Sequence, residues 1–245
     1  MKKLTTLILM TILLLVSGCN QNNEANQIKF AVSPEYPPFE YLKNGELHGF
    51  DIDLAKLIAQ ELGKKAVFEE MQFSTIIPAV QNKHVDVGIS TITVTDDRKK
   101  QIDFSEIYFV GSIAVVFKAT HPVTALKELQ GKKIACQLGS VMEIWAKQHG
   151  FSDHLIAMDS NIQIIEALKA GHVDVALMDG VQGILFSKKN PSLATQTIDQ
   201  SEEGYAVVLP KGSVLLAEIN QALKNLKAKG EIAKLEEKWL KGELP

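Results

Sequence analysis

Beyond residue 26 the chain alternates short apolar runs with stretches of helical apolar spacing. Ile28-Lys29-Phe30-Ala31-Val32 reads as a buried strand. Residues 33–39 carry Pro34, Pro37 and Pro38, which have no amide to continue a ladder, so this segment reads as a loop. Leu54, Leu57, Ile58 and Leu62 recur at helical spacing and predict a helix over 51–62, with Gly63 as its C-terminal cap. Val67 and Phe68 suggest the next strand. Residues 74–82 read as a short helix with Pro78 in or near its first turns, where proline is tolerated.

Two short patterns then repeat. His84-Val85-Asp86-Val87 returns as His172-Val173-Asp174-Val175, each copy following a helical stretch and opening an apolar strand. Lys29-Phe30-Ala31-Val32-Ser33 is echoed by Lys133-Ile134-Ala135-Cys136-Gln137, each a strand running into a loop and then a helix. Two pairs in the same order suggest two α/β lobes of related construction. Strands alternating with helices imply mostly parallel sheets, whose ligands sit beyond the carboxyl ends of the strands. That places residues 33–39, 90–98, 137–141 and 178–182 along one cleft if the lobes face each other.

The amino terminus reads differently. Met1-Lys2-Lys3 is followed by an apolar run from Leu4 to Val16, shorter than the roughly 20 residues of a comfortable membrane span. It fits a signal peptide over 1–18, and Val16-Ser17-Gly18-Cys19 has the small residues before cysteine of a lipobox, which would leave a lipidated Cys19 and a polar tether over 19–26. The expected location is therefore outside the cytoplasm, in the periplasm or at the cell surface, anchored to the membrane by lipid. With Cys19 lipidated, Cys136 has no disulfide partner and reads as a small buried strand residue. Of 245 residues, 46% are hydrophobic and 22% charged, enough for a real core. The net charge is −3 with only scattered lysine pairs, which argues against nucleic acid as a partner. No HExxH, paired-cysteine metal site, GxSxG elbow or phosphate loop is present, so no metal or cofactor is expected and any ATPase belongs to another polypeptide.

Tyr36-Pro37-Pro38-Phe39-Glu40 with Gly49-Phe50-Asp51-Ile52-Asp53-Leu54, Ile92-Thr93-Val94-Thr95-Asp96-Asp97-Arg98-Lys99-Lys100 with Ile102-Asp103-Phe104-Ser105, and Pro210-Lys211-Gly212-Ser213 with the closing Gly230 and Lys238-Trp239 stand in order along the chain. This ordered set resembles solute-binding family 3, the polar amino-acid binding proteins of ABC importers, over about residues 27–245. The resemblance implies a two-lobed α/β periplasmic-binding-protein fold of type II, with two mostly parallel sheets, a cleft between them and two hinge strands. Lobe one would comprise 27–115 and 207–245, and lobe two 116–206, with crossovers at 113–117 and 205–209. It further implies a monomer that captures a free amino acid by hinge closure and delivers it to a permease with a separate ATPase subunit.

A free amino acid presents a carboxylate, an ammonium and a side chain. The Arg98 guanidinium suits the carboxylate with its planar fork, although Asp96-Asp97-Arg98-Lys99-Lys100 reads equally as a solvated first helical turn. Ser90, Thr91 and Thr93 offer hydroxyl and main-chain groups at a strand end. Asp179 ends an apolar strand and suits the ammonium, or makes an Asp-Gly turn. The resemblance assigns the ammonium to Asp179 and the second-lobe loop to 138–141, with Ser140 and Val141 at the start of a helix near Met142. It also matches Tyr36 and Phe73 to aromatics that sandwich the ligand side chain, and Ser33 to a position where several cation binders carry an acid. Arginine is the favoured ligand, because guanidinium stacks on aromatic faces and Glu35 and Gln137 could accept its hydrogen bonds. A neutral polar ligand such as glutamine is the alternative. A sensor subunit that presents its loaded form to a receptor is another reading. An exported enzyme similar to cyclohexadienyl dehydratase is a third, with Glu143 as its proton donor.

Overall fold

The computed structural model describes residues 26–200 and 203–241. The expected signal peptide, Cys19 and all of the tether but Asn26 lie outside the described residues. Two five-stranded sheets, each with helices on both faces, form two lobes. In the first, Lys65–Glu70, Gln27–Val32 and Val87–Gly88 run parallel, and Val208–Pro210 and Ile102–Phe104 complete the order. In the second, Leu155–Met158, Ile134–Gln137 and Val175–Asp179 run parallel, followed by Ser112–Lys118 and Leu193–Gln200. The order is the same in both lobes. Val208–Pro210 and Ser112–Lys118 are antiparallel to their parallel neighbours because the chain has just crossed from the other lobe and enters the sheet from the opposite end.

The two sequence echoes are hydrogen-bonded to one another. The Lys29 amide donates to the Asp86 carboxylate at 2.7 Å, and the Lys133 amide to the Asp174 carboxylate at 2.8 Å. In each lobe the aspartate of the repeat thus holds the amide of the lysine that leads into the buried run of an inner strand, residues 30–32 in one and Ile134–Gln137 in the other.

The helices lie close to their expected places. Leu54, Ala55 and Ile58 of Phe50–Glu61 pack with Ile219, Leu223 and Leu226 of Leu215–Ala228 on one face of the first sheet. Ile76 and Val80 of Phe73–Gln81 cover the other. Gly49, just before the first helix, has φ +129°, and a Cβ there would lie 2.0 Å from the Phe39 carbonyl oxygen, so only glycine brings this helix against the 33–39 loop. In the second lobe, Trp145 of Val141–Gln148 and Leu168 of Asn161–Ala170 pack on opposite faces. Cys136 is buried and free, and burial pushes its thiol pKa up to about 12, as suits an inert core residue.

One expectation is corrected. Residues 113–117 are not a crossover, because Ser112–Lys118 pairs along its length inside the second sheet. The chain leaves the first sheet after Phe104, and the segment that follows runs beside the returning chain. The Tyr108 amide bonds the Tyr205 carbonyl at 2.9 Å and the Tyr205 amide the Phe109 carbonyl at 2.7 Å. The expected division at 115/116 therefore passes through the middle of a strand.

Candidate ligand-binding cleft

Parallel strands from both lobes end at the same seam, and the loops after them meet there. Tyr36, Phe73, Thr91, Thr93 and Arg98 from the first lobe face Gln137, Ser140 and Val141 from the second around a cavity of about 20 Å³. The lobes touch across this seam, where Arg98 bonds the Gly139 carbonyl and the Asp179 amide bonds the Tyr36 hydroxyl.

Arg98 lies in the short helix Asp96–Lys99, capped by Thr95, whose hydroxyl accepts from the Arg98 amide at 3.3 Å. The cap turns the side chain inward, where it is only 6% exposed. One guanidinium nitrogen donates to the Thr93 carbonyl at 2.7 Å, and the other crosses the seam to the Gly139 carbonyl at 2.8 Å. The guanidinium carbon lies 5.9 Å from the centre of the Phe73 ring. Burial lowers the Arg98 pKa to about 10, against the pull of Glu203, so it stays charged at neutral pH. The reading of 96–100 as a wholly solvated turn holds for its neighbours and not for Arg98.

The remaining expected residues stand behind this lining. Ser90 is fully buried; its hydroxyl donates to Glu40 at 2.7 Å and accepts the Ser33 amide at 3.2 Å. Asp179 caps the helix Gly180–Lys189 by accepting the Val181 amide at 2.8 Å. Its other oxygen accepts the Tyr205 hydroxyl at 2.8 Å and the Ser112 amide at 3.2 Å, while its own amide donates to the Tyr36 hydroxyl at 3.1 Å. Asp179 thus ties the second lobe to both crossing segments and to the first lobe. Gly111 leaves room for this knot, since a Cβ there would fall 2.4 Å from both the Asp179 carboxylate and the Tyr205 hydroxyl. Burial pushes the Asp179 carboxyl above the usual range, opposed by its hydrogen bonds to Tyr205, Val181 and Ser112.

Glu35 and Ser33 line a neighbouring cavity of about 730 Å³, also between the lobes, with Gln72 and Gln163. Glu35 Oε2 is buried and has no hydrogen-bond partner. Glu143 has no claim as a proton donor. Burial works to raise its pKa, but the Lys147 ammonium at 2.6 Å and the Gly139 amide at 2.7 Å outweigh it and hold the carboxyl low.

Among the lining residues that the sequence reading did not name as site residues, Asn161 and Tyr205 carry polar groups. Asn161 is 1% exposed, with its amide nitrogen unpartnered, at the start of the helix Asn161–Ala170. It follows the carboxyl end of a parallel strand, Leu155–Met158, so the rule that picked out the other loops applied to it as well. Tyr205 gave no local signal, because it reaches the cleft only from the returning crossover.

Residues 28–242 match the model of the bacterial extracellular solute-binding proteins, family 3. The arginine-binding extracellular protein ArtP of Bacillus subtilis (strain 168) is 32% identical over 95% of this chain and 98% of its own. The ABC transporter glutamine-binding protein GlnH of the same strain is 32% identical over 82% and 76%. Among solved structures, an ancestral arginine-binding protein bound to arginine is 38% identical with a TM-score of 0.82, covering 87% of this chain and 98% of that one. An ancestral arginine-binding protein bound to glutamine is 37% identical with a TM-score of 0.83, covering 87% of this chain and 97% of that one.

Proposed function

The chain belongs to the bacterial extracellular solute-binding proteins, family 3, and on that premise we propose that it is the amino-acid-binding component of an ABC importer with arginine as its preferred ligand. It is a binding protein and not an enzyme, as are its relatives. The observation that carries the reading is Arg98, a buried charged fork at the meeting point of two lobes. Arg98 takes the ligand carboxylate, with Ser90, Thr91 and Thr93 around it and Ser140 and Val141 opposite at a helix N-terminus. Asp179 takes the ammonium, and Tyr36 and Phe73 flank the side chain. Each lobe supplies contacts the other lacks, so binding favours the closed arrangement.

The choice of arginine rests on Glu35. A carboxylate oxygen buried without a partner is a ready acceptor for a guanidinium that passes the aromatic pair, with Gln137 as a second acceptor. It supplies the negative charge that Ser33 does not. Titration calorimetry against arginine, lysine, histidine and glutamine tests this. Arginine should bind tightest, and Glu35→Gln should weaken arginine by at least about tenfold while leaving glutamine within about threefold. Glutamine binding tenfold tighter than arginine, about 1.4 kcal/mol, would remove the cationic assignment and leave amino-acid binding standing.

The closed cleft is complete within one chain, which supports a monomer. A permease with a separate ATPase subunit receives the ligand. Among the described residues no helix is long and apolar enough to cross a membrane; the anchor we assign is a lipid on Cys19, supported by the small residues before it. Cys19→Ser should move the protein from the membrane to the soluble fraction and remove the mass of the acyl chains. Unchanged fractionation and mass would refute the anchor.

A further inference from the structure

Two carboxyl groups are buried together beneath the Ser90–Thr91 strand end. Glu40 is 1% exposed and Asp51 is fully covered. Glu40 Oε1 accepts the Ser90 hydroxyl at 2.7 Å, and Asp51 Oδ2 accepts both the Thr91 amide at 2.7 Å and the Tyr108 hydroxyl at 2.8 Å. The remaining oxygens, Glu40 Oε2 and Asp51 Oδ1, are out of solvent with no other partner. The partners Ser90 and Thr91 are consecutive residues, which sets the two carboxyls side by side. Two ionised carboxylates cannot be held in that arrangement away from water, whereas one proton between them satisfies both orphaned oxygens at once. The surrounding groups supply no positive charge: Ser90, Thr91, Tyr108 and, further off, Tyr36 face the pair. Burial, and then the neighbouring Asp51, hold the Glu40 carboxyl protonated far above the usual range, and burial raises Asp51 to about 7.

The contacts of the pair lead to the cleft. Thr91 lines it and has φ +48°, a left-handed conformation unusual for a β-branched residue, which needs to be held in place by its surroundings. The bond from its amide to Asp51 is such a hold. Ser90, clamped by Glu40, in turn accepts the amide of Ser33 at the head of the 33–39 loop.

We propose that Glu40 and Asp51 are positioning residues that share one retained proton and, through Ser90 and Thr91, keep the first lobe's strand end in its ligand-binding conformation. This rests on the reading above that the strand end contacts the amino acid. The substitutions that test it separate the proton from the packing. In Glu40→Gln the amide N–H replaces the shared proton and the amide oxygen still accepts from Ser90. In Glu40→Met, of similar length, both hydrogen bonds are lost.

At pH 8 the infrared spectrum of the intact protein should contain the carbonyl stretch of a neutral carboxylic acid that disappears in Glu40→Gln. Arginine affinity should stay within about threefold in Glu40→Gln and fall at least about tenfold in Glu40→Met. An infrared band unchanged by Glu40→Gln overturns the shared proton. Equal affinities of the Gln and Met variants overturn the positioning role. If Glu40→Met does not fold, Asp51→Asn replaces it: its amide can donate to Glu40, so it should keep affinity within about threefold and lose the same band. A band that survives in Asp51→Asn, or a loss of affinity beyond tenfold in it, also refutes the pair. If the wild-type protein binds no amino acid in calorimetry, the functional reading fails on its own, and the infrared band still decides whether the proton is there.

Discussion

Arg98→Ala is expected to remove nearly all measurable amino-acid binding while leaving a folded protein. The guanidinium is buried, charged at neutral pH and shared between the Thr93 and Gly139 carbonyls. A ligand carboxylate brought into this seam without it would be desolvated and unpaired. The cost is about 2–5 kcal/mol, or a loss of roughly 30-fold to several thousandfold in affinity. Folding should change little, because Arg98 belongs to none of the four apolar clusters of the two lobes. Arg98→Lys should be nearly as damaging, since one ammonium cannot reproduce a planar two-point fork. Calorimetry on both variants, with thermal unfolding as the control, checks this; near-native affinity in Arg98→Ala would place the carboxylate elsewhere.

Asp179→Ala should fail in two ways at once. Losing the carboxylate leaves the ligand ammonium unpaired, a cost of about 2–5 kcal/mol in binding. It also removes the N-cap of Gly180–Lys189 and strips the Tyr205 hydroxyl and Ser112 amide of their acceptor. Loss of the cap alone costs about 0.5–2 kcal/mol, so the melting temperature should drop as well. Asp179→Asn separates the effects: its amide oxygen can still cap the helix, so stability should recover more than affinity does. The pH dependence has a definite sign. Burial raises the pKa of Asp179 in the free protein, and an ammonium beside it favours the ionised form. Ligand and proton therefore compete, and affinity should fall as pH drops through that raised pKa. Asp179→Asn should lose this slope. A wild-type affinity that rises in acid would contradict the assignment.

The second of these predictions shows where sequence reading stops. The place of Asp179 at the end of Val175–Asp179 was legible, because an apolar run followed by Asp-Gly marks a buried strand meeting a loop. Its contacts with Tyr36, Ser112 and Tyr205 were not, since they join segments 143, 67 and 26 residues away. The same holds for Glu35. The 33–39 segment is not wholly loop: Glu35–Tyr36 is a short strand paired with Glu40 and Tyr41, and its successive side chains face opposite ways, Tyr36 into the small cavity and Glu35 into the larger one. The misplaced crossover has a related cause: Ile113-Ala114-Val115-Val116-Phe117 is uniformly apolar whether it bridges the lobes or fills the centre of a sheet.

Hydrophobic period and the two repeated patterns determined the two-lobed α/β plan and the four loops at the strand ends, because burial of a strand or a helix face is set by side chains a few residues apart. Tertiary structure alone decided how Glu40 and Asp51 meet under Thr91, how Asp179 is tied to the crossing segments, and which carboxylates keep an oxygen out of water without a partner. Those features depend on the packing of one element against another and on the closing of two lobes, where the loss of solvent turns otherwise ordinary acids into groups that must find a proton, a donor or a cation.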